Sequence, residues 1–133
     1  MDLSSLKLAS KAEAGFNVKI VHPGDSSKVI GNVRVVGIDS KTYESAAKDM
    51  QTELTELRNS GKGEDRDARM LCQSRLIAKC MVDWDFKLDG KDLKSEYDEF
   101  FKVVSDREFR WLYDQLDAAI AQRSRLFQEP ETP

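Results

Sequence analysis

The hydrophobic pattern changes period at Gly37-Ile38-Asp39-Ser40, and that change restricts the fold more than any other feature. Before it, Phe16-Asn17-Val18-Lys19-Ile20-Val21 alternates with period two, as a strand with one buried face does. His22-Pro23-Gly24-Asp25-Ser26-Ser27 is turn chemistry, because Pro fixes φ while Gly and Asp tolerate turn conformations. A β-branched run from Lys28 to Val36 follows, with Val33 and Val35 on one face, Arg34 on the other, and Gly31 marking a bulge. The spacing therefore predicts a β-hairpin over 16–37. Two strands alone are marginal in water, so the hairpin must pack on helices or on a partner.

After the change the period is helical. Asp39 or Ser40 supplies a helix N-cap, and Tyr43, Ala46, Ala47, Met50, Leu54 and Leu57 form one apolar stripe. Asn59 to Asp65, with two glycines, breaks that helix as a flexible loop. A second helix is expected from Asp65 to Val82, burying Met70, Leu71, Ile77, Ala78 and Met81. Asp89-Gly90 favours a tight turn, with room for a small irregular hairpin. Ser95 can start a third helix with Tyr97, Phe100, Phe101 and Val104 inward. Ser105 and Glu108 fit a capping box for the last, whose stripe is Phe109, Leu112, Leu116, Ala119, Ile120 and Phe127. The expected class is α+β and mostly α: an N-terminal β-hairpin followed by about four helices over 40–127, in a single domain spanning 1–127. The termini are expected to be flexible. The first fifteen residues fit a docking segment or a flexible arm equally well, and 128–133 should be a disordered tail.

Composition excludes several function classes. No apolar run approaches the ~20 residues that span a bilayer, and Met1 to Lys7 lacks the apolar stretch of a secretory signal. Two cysteines cannot build a disulfide framework, so a soluble protein of a reducing, intracellular compartment is expected. Residues 1–39 carry five basic and four acidic side chains, residues 40–94 eleven of each, and residues 95–133 five basic and nine acidic. There is no basic stripe of the kind phosphate neutralisation demands, which argues against a nucleic-acid partner.

Chemistry-bearing residues are sparse. The single histidine, His22, precedes a proline in a turn, without a visible Ser or Cys partner, and reads as a solvent-facing turn residue. Cys72 and Cys80 lie about two helical turns apart, roughly 12 Å, too far to share a metal within one helix. They read as small core residues. Gly61-Lys62-Gly63 fails as a phosphate loop, because Glu56 and Gly63 stand where a glycine and a Ser or Thr are required. Asp85, Asp89, Gly90 and Glu96 match an EF-hand's first, fifth, sixth and twelfth positions between two expected helices. Lys87 at the third position and Asp92 at the eighth work against calcium. Asp83, Asp85 and Asp89 read as a solvated turn rather than as acid–base machinery. Trp84, Phe86, Tyr97, Phe100, Phe101, Phe109, Trp111 and Tyr113 are the densest apolar feature. Trp111 stands beside the Leu112 stripe rather than on it, which makes it an interface candidate. No catalytic, cofactor-binding or metal-binding residue is assigned, and an enzyme is not expected.

The order of these features resembles the tail assembly chaperones of long-tailed, siphovirus-type bacteriophages. The resemblance lies in Ile20-Val21-His22-Pro23, in Val33 through Tyr43, in Leu76 through Trp84, in Gly90 followed by the helix at Ser95, and in Gln115 through Ile120 to Phe127. It spans about Leu3 to Phe127 and rests on order and spacing. It implies a non-enzymatic assembly factor of the host cell cytoplasm, absent from the mature virion. Such a protein coats and solubilises the tape measure protein and recruits tail tube subunits. It implies also that this chain is a short form accompanied by a frameshift-extended form of itself. No residue-level binding motif carries over. From the residues themselves, an exposed hairpin edge could pair with a neighbouring copy into a homo-oligomer, a ring or a spiral. The rival readings are a structural minor tail or neck component retained in the virion, and a calcium-responsive module.

Overall fold

The structure, a computed structural model, describes residues 2–127. The tail expected at 128–133 lies outside the described residues. The hairpin forms from β1 (Phe16–His22) and β2 (Asp25–Val35), with Phe16 opposite Val35 and Val18 opposite Val33. The turn is tighter than the sequence implied, because the second strand resumes at Asp25. The bulge sits beside Gly31: Ile20 pairs with Gly31 but Val21 with Val29, so Ile30 is the extra residue.

A third strand completes the sheet, in the order β1-β2-β3. β3 (Met81–Trp84) pairs antiparallel with β2, placing Val33 opposite Trp84 and Val35 opposite Met81. The helix expected to run to Val82 thus ends at Cys80. There the Cys80 carbonyl accepts from the Val36 N–H at 2.9 Å, and the ladder begins. Pairing with β2 outweighs the helical propensity of Met81, because a sheet needs a third strand more than a helix needs two more residues. One face of the sheet is apolar: Phe16, Val18, Ile20, Val33, Val35, Met81 and Trp84 are buried, while Asn17, Lys19 and Asp83 face solvent.

Five α-helices accompany the sheet among the described residues. They are α1 (Leu8–Ala14), α2 (Lys41–Asn59), α3 (Arg66–Cys80), α4 (Tyr97–Val104) and α5 (Arg110–Ile120). α1 decides between the two readings of the N-terminal segment, since it is docked rather than a free arm. Ala12 is fully buried, its carbonyl accepts from the Gly37 N–H at 2.9 Å, and Glu13 accepts from the Thr42 hydroxyl at 3.1 Å. Ser40 caps α2 by accepting from the Tyr43 N–H, as one of the two expected caps. Asp65 caps α3 in the same way through Ala68.

Several local expectations give way. Ser95 does not cap α4; its hydroxyl bonds to the Asp83 carboxylate and accepts from the Trp84 N–H, fastening the end of β3. The Ser105–Glu108 capping box does not form either. Asp106 caps the short 3₁₀ turn Arg107–Phe109 instead, accepting from the Glu108 N–H, and Ser105 closes α4. Leu71, Tyr97 and Phe127, expected inward, are exposed, and Cys72 and Leu76 take the buried positions on α3.

One apolar cluster joins the sheet face to Ile77, Phe100, Val104, Leu112, Leu116 and Ile120, so hairpin and helices share a core. Within it Ser74 is fully buried, and its hydroxyl has no hydrogen-bond partner in the structure. An orphaned hydroxyl keeps its desolvation cost with nothing to offset it, so Ser74→Ala is expected to raise stability by about 1 kcal/mol in urea denaturation. A loss of stability on that substitution would show that the hydroxyl is satisfied.

Candidate interaction surface

The sequence-derived candidates for chemistry are all occupied structurally. His22, the last residue of β1, is exposed, and its Nδ1 accepts from the Gly24 N–H of the turn at 3.0 Å. Gly61, at φ +80°, ends α2, and the Lys62 N–H bonds back to the Leu57 carbonyl. Gly61-Lys62-Gly63 is thus a helix-to-helix loop. Cys72 and Cys80 are buried free thiols on α3. Burial pushes Cys80 up to about 12, and burial with the neighbouring Glu53 raises Cys72. Thiolate is the reactive form, so neither cysteine is expected to react with a disulfide reagent in the native protein within minutes; both should titrate on unfolding. Rapid native labelling of one equivalent would place a thiol at the surface.

The helix–loop–helix expected around Asp85 is absent. A strand precedes the segment, and residues 87–92 form a second small sheet of β4 (Lys87–Leu88) and β5 (Lys91–Asp92). Asp89 and Gly90, at φ +52° and +79°, make its tight turn, as the Asp-Gly pair predicted. The Asp85 carboxylate accepts from the Asn32 N–H at 2.8 Å, and Asp83 is engaged by Ser95. Lys87 pairs with Asp92 at 3.8 Å. Asp83 and Asp85 therefore hold backbone N–H groups of Trp84 and Asn32, Asp89 serves the turn, and no cluster of three metal-ligating side chains exists among the described residues.

Both sheet edges carry side-chain covers. The Gln115 amide on α5 donates to the Val21 carbonyl at 2.9 Å and accepts from the Val21 N–H at 3.0 Å, as a neighbouring strand would. At the opposite edge Ser95 occupies the Trp84 N–H. The other edge of the hairpin is filled by β3 at Val33–Val35. The hairpin that motivated edge pairing between copies thus gains a third strand from the chain itself along Val33–Val35.

What stays open is apolar. The stripe of α2 is only partly covered: Ala46 is buried, but Tyr43, Ala47, Met50, Leu54 and Leu57 remain half-buried against α3. Ion pairs Arg75–Glu53 at 2.8 Å and Lys79–Asp49 at 3.0 Å pin the two helices together. A cavity of about 200 Å³ opens between Ile30 and Trp84 of the sheet, the β4–β5 hairpin, α4 and the start of α5. Its walls are Ile30, Trp84, Phe86, Leu88, Leu93, Val103, Phe109, Trp111 and Leu112, with Lys87 at the margin.

This pit is built from the bulge outward. Trp84 stands edge-on to Phe100 at 4.9 Å and to Phe86 at 6.0 Å, both near perpendicular, a favoured aromatic geometry. Its indole N–H donates to the Lys94 carbonyl at 3.1 Å. Phe86 lies over Gly31, where an added Cβ would sit 2.6 Å from its ring. The glycine that marks the bulge thus also admits the ring. Trp111, the interface candidate, is half-buried in the pit wall. Ile30, Leu88 and Leu93 were missed as wall residues. The alternation of Val82, Trp84 and Phe86 into the Asp89-Gly90 turn was the signal for strands there.

A larger hollow of about 490 Å³ lies between α3 and the start of α5, lined by Arg66, Arg107 and Arg110 but also by Asp67 and Asp106. Asp65 and Asp106 each take one helix-start N–H beside it, and the two aspartates of the lining oppose its arginines, so it offers no field of one sign. Among the described residues no helix is long and apolar enough to cross a membrane.

No protein-family model, no curated protein and no solved structure matches this chain.

Proposed function

We propose that this chain is a non-catalytic binding protein of the tail-assembly-chaperone kind. It would act in the host cytoplasm on the tape measure protein and tail tube subunits, and leave before the virion is complete. The observation that carries this reading is the position of Trp111. The aromatic set apart from the helical stripe lies in the wall of an open apolar pit. Exposed aromatic and aliphatic surface of this kind suits the apolar face of an amphipathic helix. The similarity in order and spacing to tail assembly chaperones supplies the client, and the charge balance gives no support to a nucleic-acid partner.

The test is co-expression with the tape measure protein of the same gene cluster, followed by pull-down and a solubility assay. A soluble complex is expected. A tape measure protein that stays insoluble and unbound overturns the reading, and detection of the chain in purified particles would replace it by a retained tail or neck component.

A further inference from the structure

We infer that Gln115 is a lock on the β1 edge of the sheet, and that without it this edge pairs with a second copy of the chain. The inference stands apart from the client-binding reading and does not need it.

Backbone direction is the first ground. Along an antiparallel ladder, residues alternate between turning their N–H and C=O toward the partner strand and turning both away. Val21 is of the second kind, because its two groups meet the Gln115 amide at 3.0 and 2.9 Å. Period two turns the same groups of Lys19 to the same edge. The register agrees. Asn32 and Arg34, opposite Lys19 and Asn17, turn toward β3, where Arg34 pairs with Asp83 and the Asn32 N–H reaches the Asp85 carboxylate. A row of such groups is a template for a further strand.

The chemistry of the side chain is the second. A primary amide carries an acceptor and a donor on one planar group, the pair that one residue of a neighbouring strand would offer. Ser95 at Trp84 and Asp85 at Asn32 each answer a backbone N–H alone, whereas Gln115 answers both groups of Val21. An apolar side chain would fill the same half-buried place on α5 with no polar atoms to desolvate, so packing does not call for an amide here. Lys19 is exposed and charges the same edge, but its flexible stem can swing clear of an incoming backbone. The amide has to surrender two bonds.

In a solution of the pure chain, the strand edge that can replace the amide belongs to another copy. Copies that meet β1 to β1 run antiparallel about a two-fold axis, and that contact closes as a dimer. The helix does not depend on the lock, since Leu112, Leu116, Ala119 and Ile120 of α5 are all buried.

The test uses the full chain as wild type, Gln115→Met, Gln115→Ala and, as a packing control on the same helix, Ile120→Val. Methionine keeps the length of the side chain and gives up the N–H; alanine removes the reach and decides the matter if the methionine variant does not fold. Amide hydrogen exchange at low concentration is expected to be about tenfold faster at Val21 in Gln115→Met, while Val18, whose groups face β2, keeps its rate. Sedimentation at high concentration is expected to show a species of twice the wild-type mass in both Gln115 variants and not in Ile120→Val. Unchanged exchange at Val21 in the folded variants overturns the lock. Faster exchange with the wild-type mass at every concentration overturns the pairing it is held to prevent. A doubled species that Ile120→Val forms equally would come from loosened packing and overturns the inference as well.

Discussion

Gly15→Ala is expected to destabilise the protein by about 3 kcal/mol, a fall in Tm of about 10 °C. Gly15 joins α1 to β1 at φ +83°, ψ 175°, a region that only glycine occupies without strain. A Cβ there would also lie 2.7 Å from the Val35 carbonyl oxygen, and that carbonyl belongs to the strand opposite Phe16. Backbone held in a ladder has little freedom to retreat, so strain and overlap add. Gly61→Ala is the control. Its φ is +80°, but nothing lies within 4 Å of an added Cβ, and the expected cost is about 1 kcal/mol. Urea denaturation of both variants separates the two effects. Equal losses would show that the Val35 carbonyl plays no part.

Phe100→Ala should cost about 4 kcal/mol, whereas Tyr97→Ala, one helical turn earlier, should cost less than about 1 kcal/mol. The two residues share the aromatic stripe of α4 in the sequence. Phe100 is buried to 2% exposure and meets the Trp84 ring edge-on at 4.9 Å, so its removal leaves a cavity between α4 and the sheet. Tyr97 is 39% exposed and stacks only on Phe101. Comparable losses for the two variants would mean that Tyr97 is packed as its spacing implied and that α4 sits differently on the sheet.

The pair illustrates which parts of the fold were legible. Helical spacing puts Tyr97, Phe100, Phe101 and Val104 on one side of α4. It cannot say how wide a strip of that side is covered, because coverage depends on the neighbouring elements. The same limit applies to Leu71, which spacing turned inward and α3 leaves exposed. Caps were legible where the partner is local: Ser40 needs only the Tyr43 N–H. Ser95 looked like another cap, and the structure uses it for Asp83 and Trp84, twelve and eleven residues away. A hydroxyl's choice between a local and a distant partner is decided by geometry that single-chain periodicity does not contain.

The candidate site divides the same way. Trp111 stood out in the sequence by its offset from the Leu112 stripe, and Gly31 by interrupting a β-branched run. That Phe86 would rest on Gly31, and that Ile30, Leu88 and Leu93 would close a pit with Trp84 and Trp111, required elements more than fifty residues apart to meet. The carboxylates carry a spacing that the fold uses for something else. Asp85, Asp89 and Glu96 have calcium-loop spacing, but Asp85 is spent on the Asn32 N–H across the sheet.

The amino-acid order by itself determined the hairpin, its bulge at Gly31, the starts of α2 and α3, the Asp89-Gly90 turn and the α+β class, because each depends on φ/ψ preference, period or capping within a few residues. Tertiary structure alone decided that α1 docks, that Met81–Trp84 leaves the helix for the sheet, that Gln115 covers the edge at Val21, and that an apolar pit stays open beside Trp111. Those outcomes turn on which distant backbone groups need partners and which surfaces meet, and local propensities of a few tenths of a kcal/mol per residue yield to such long-range pairing and burial.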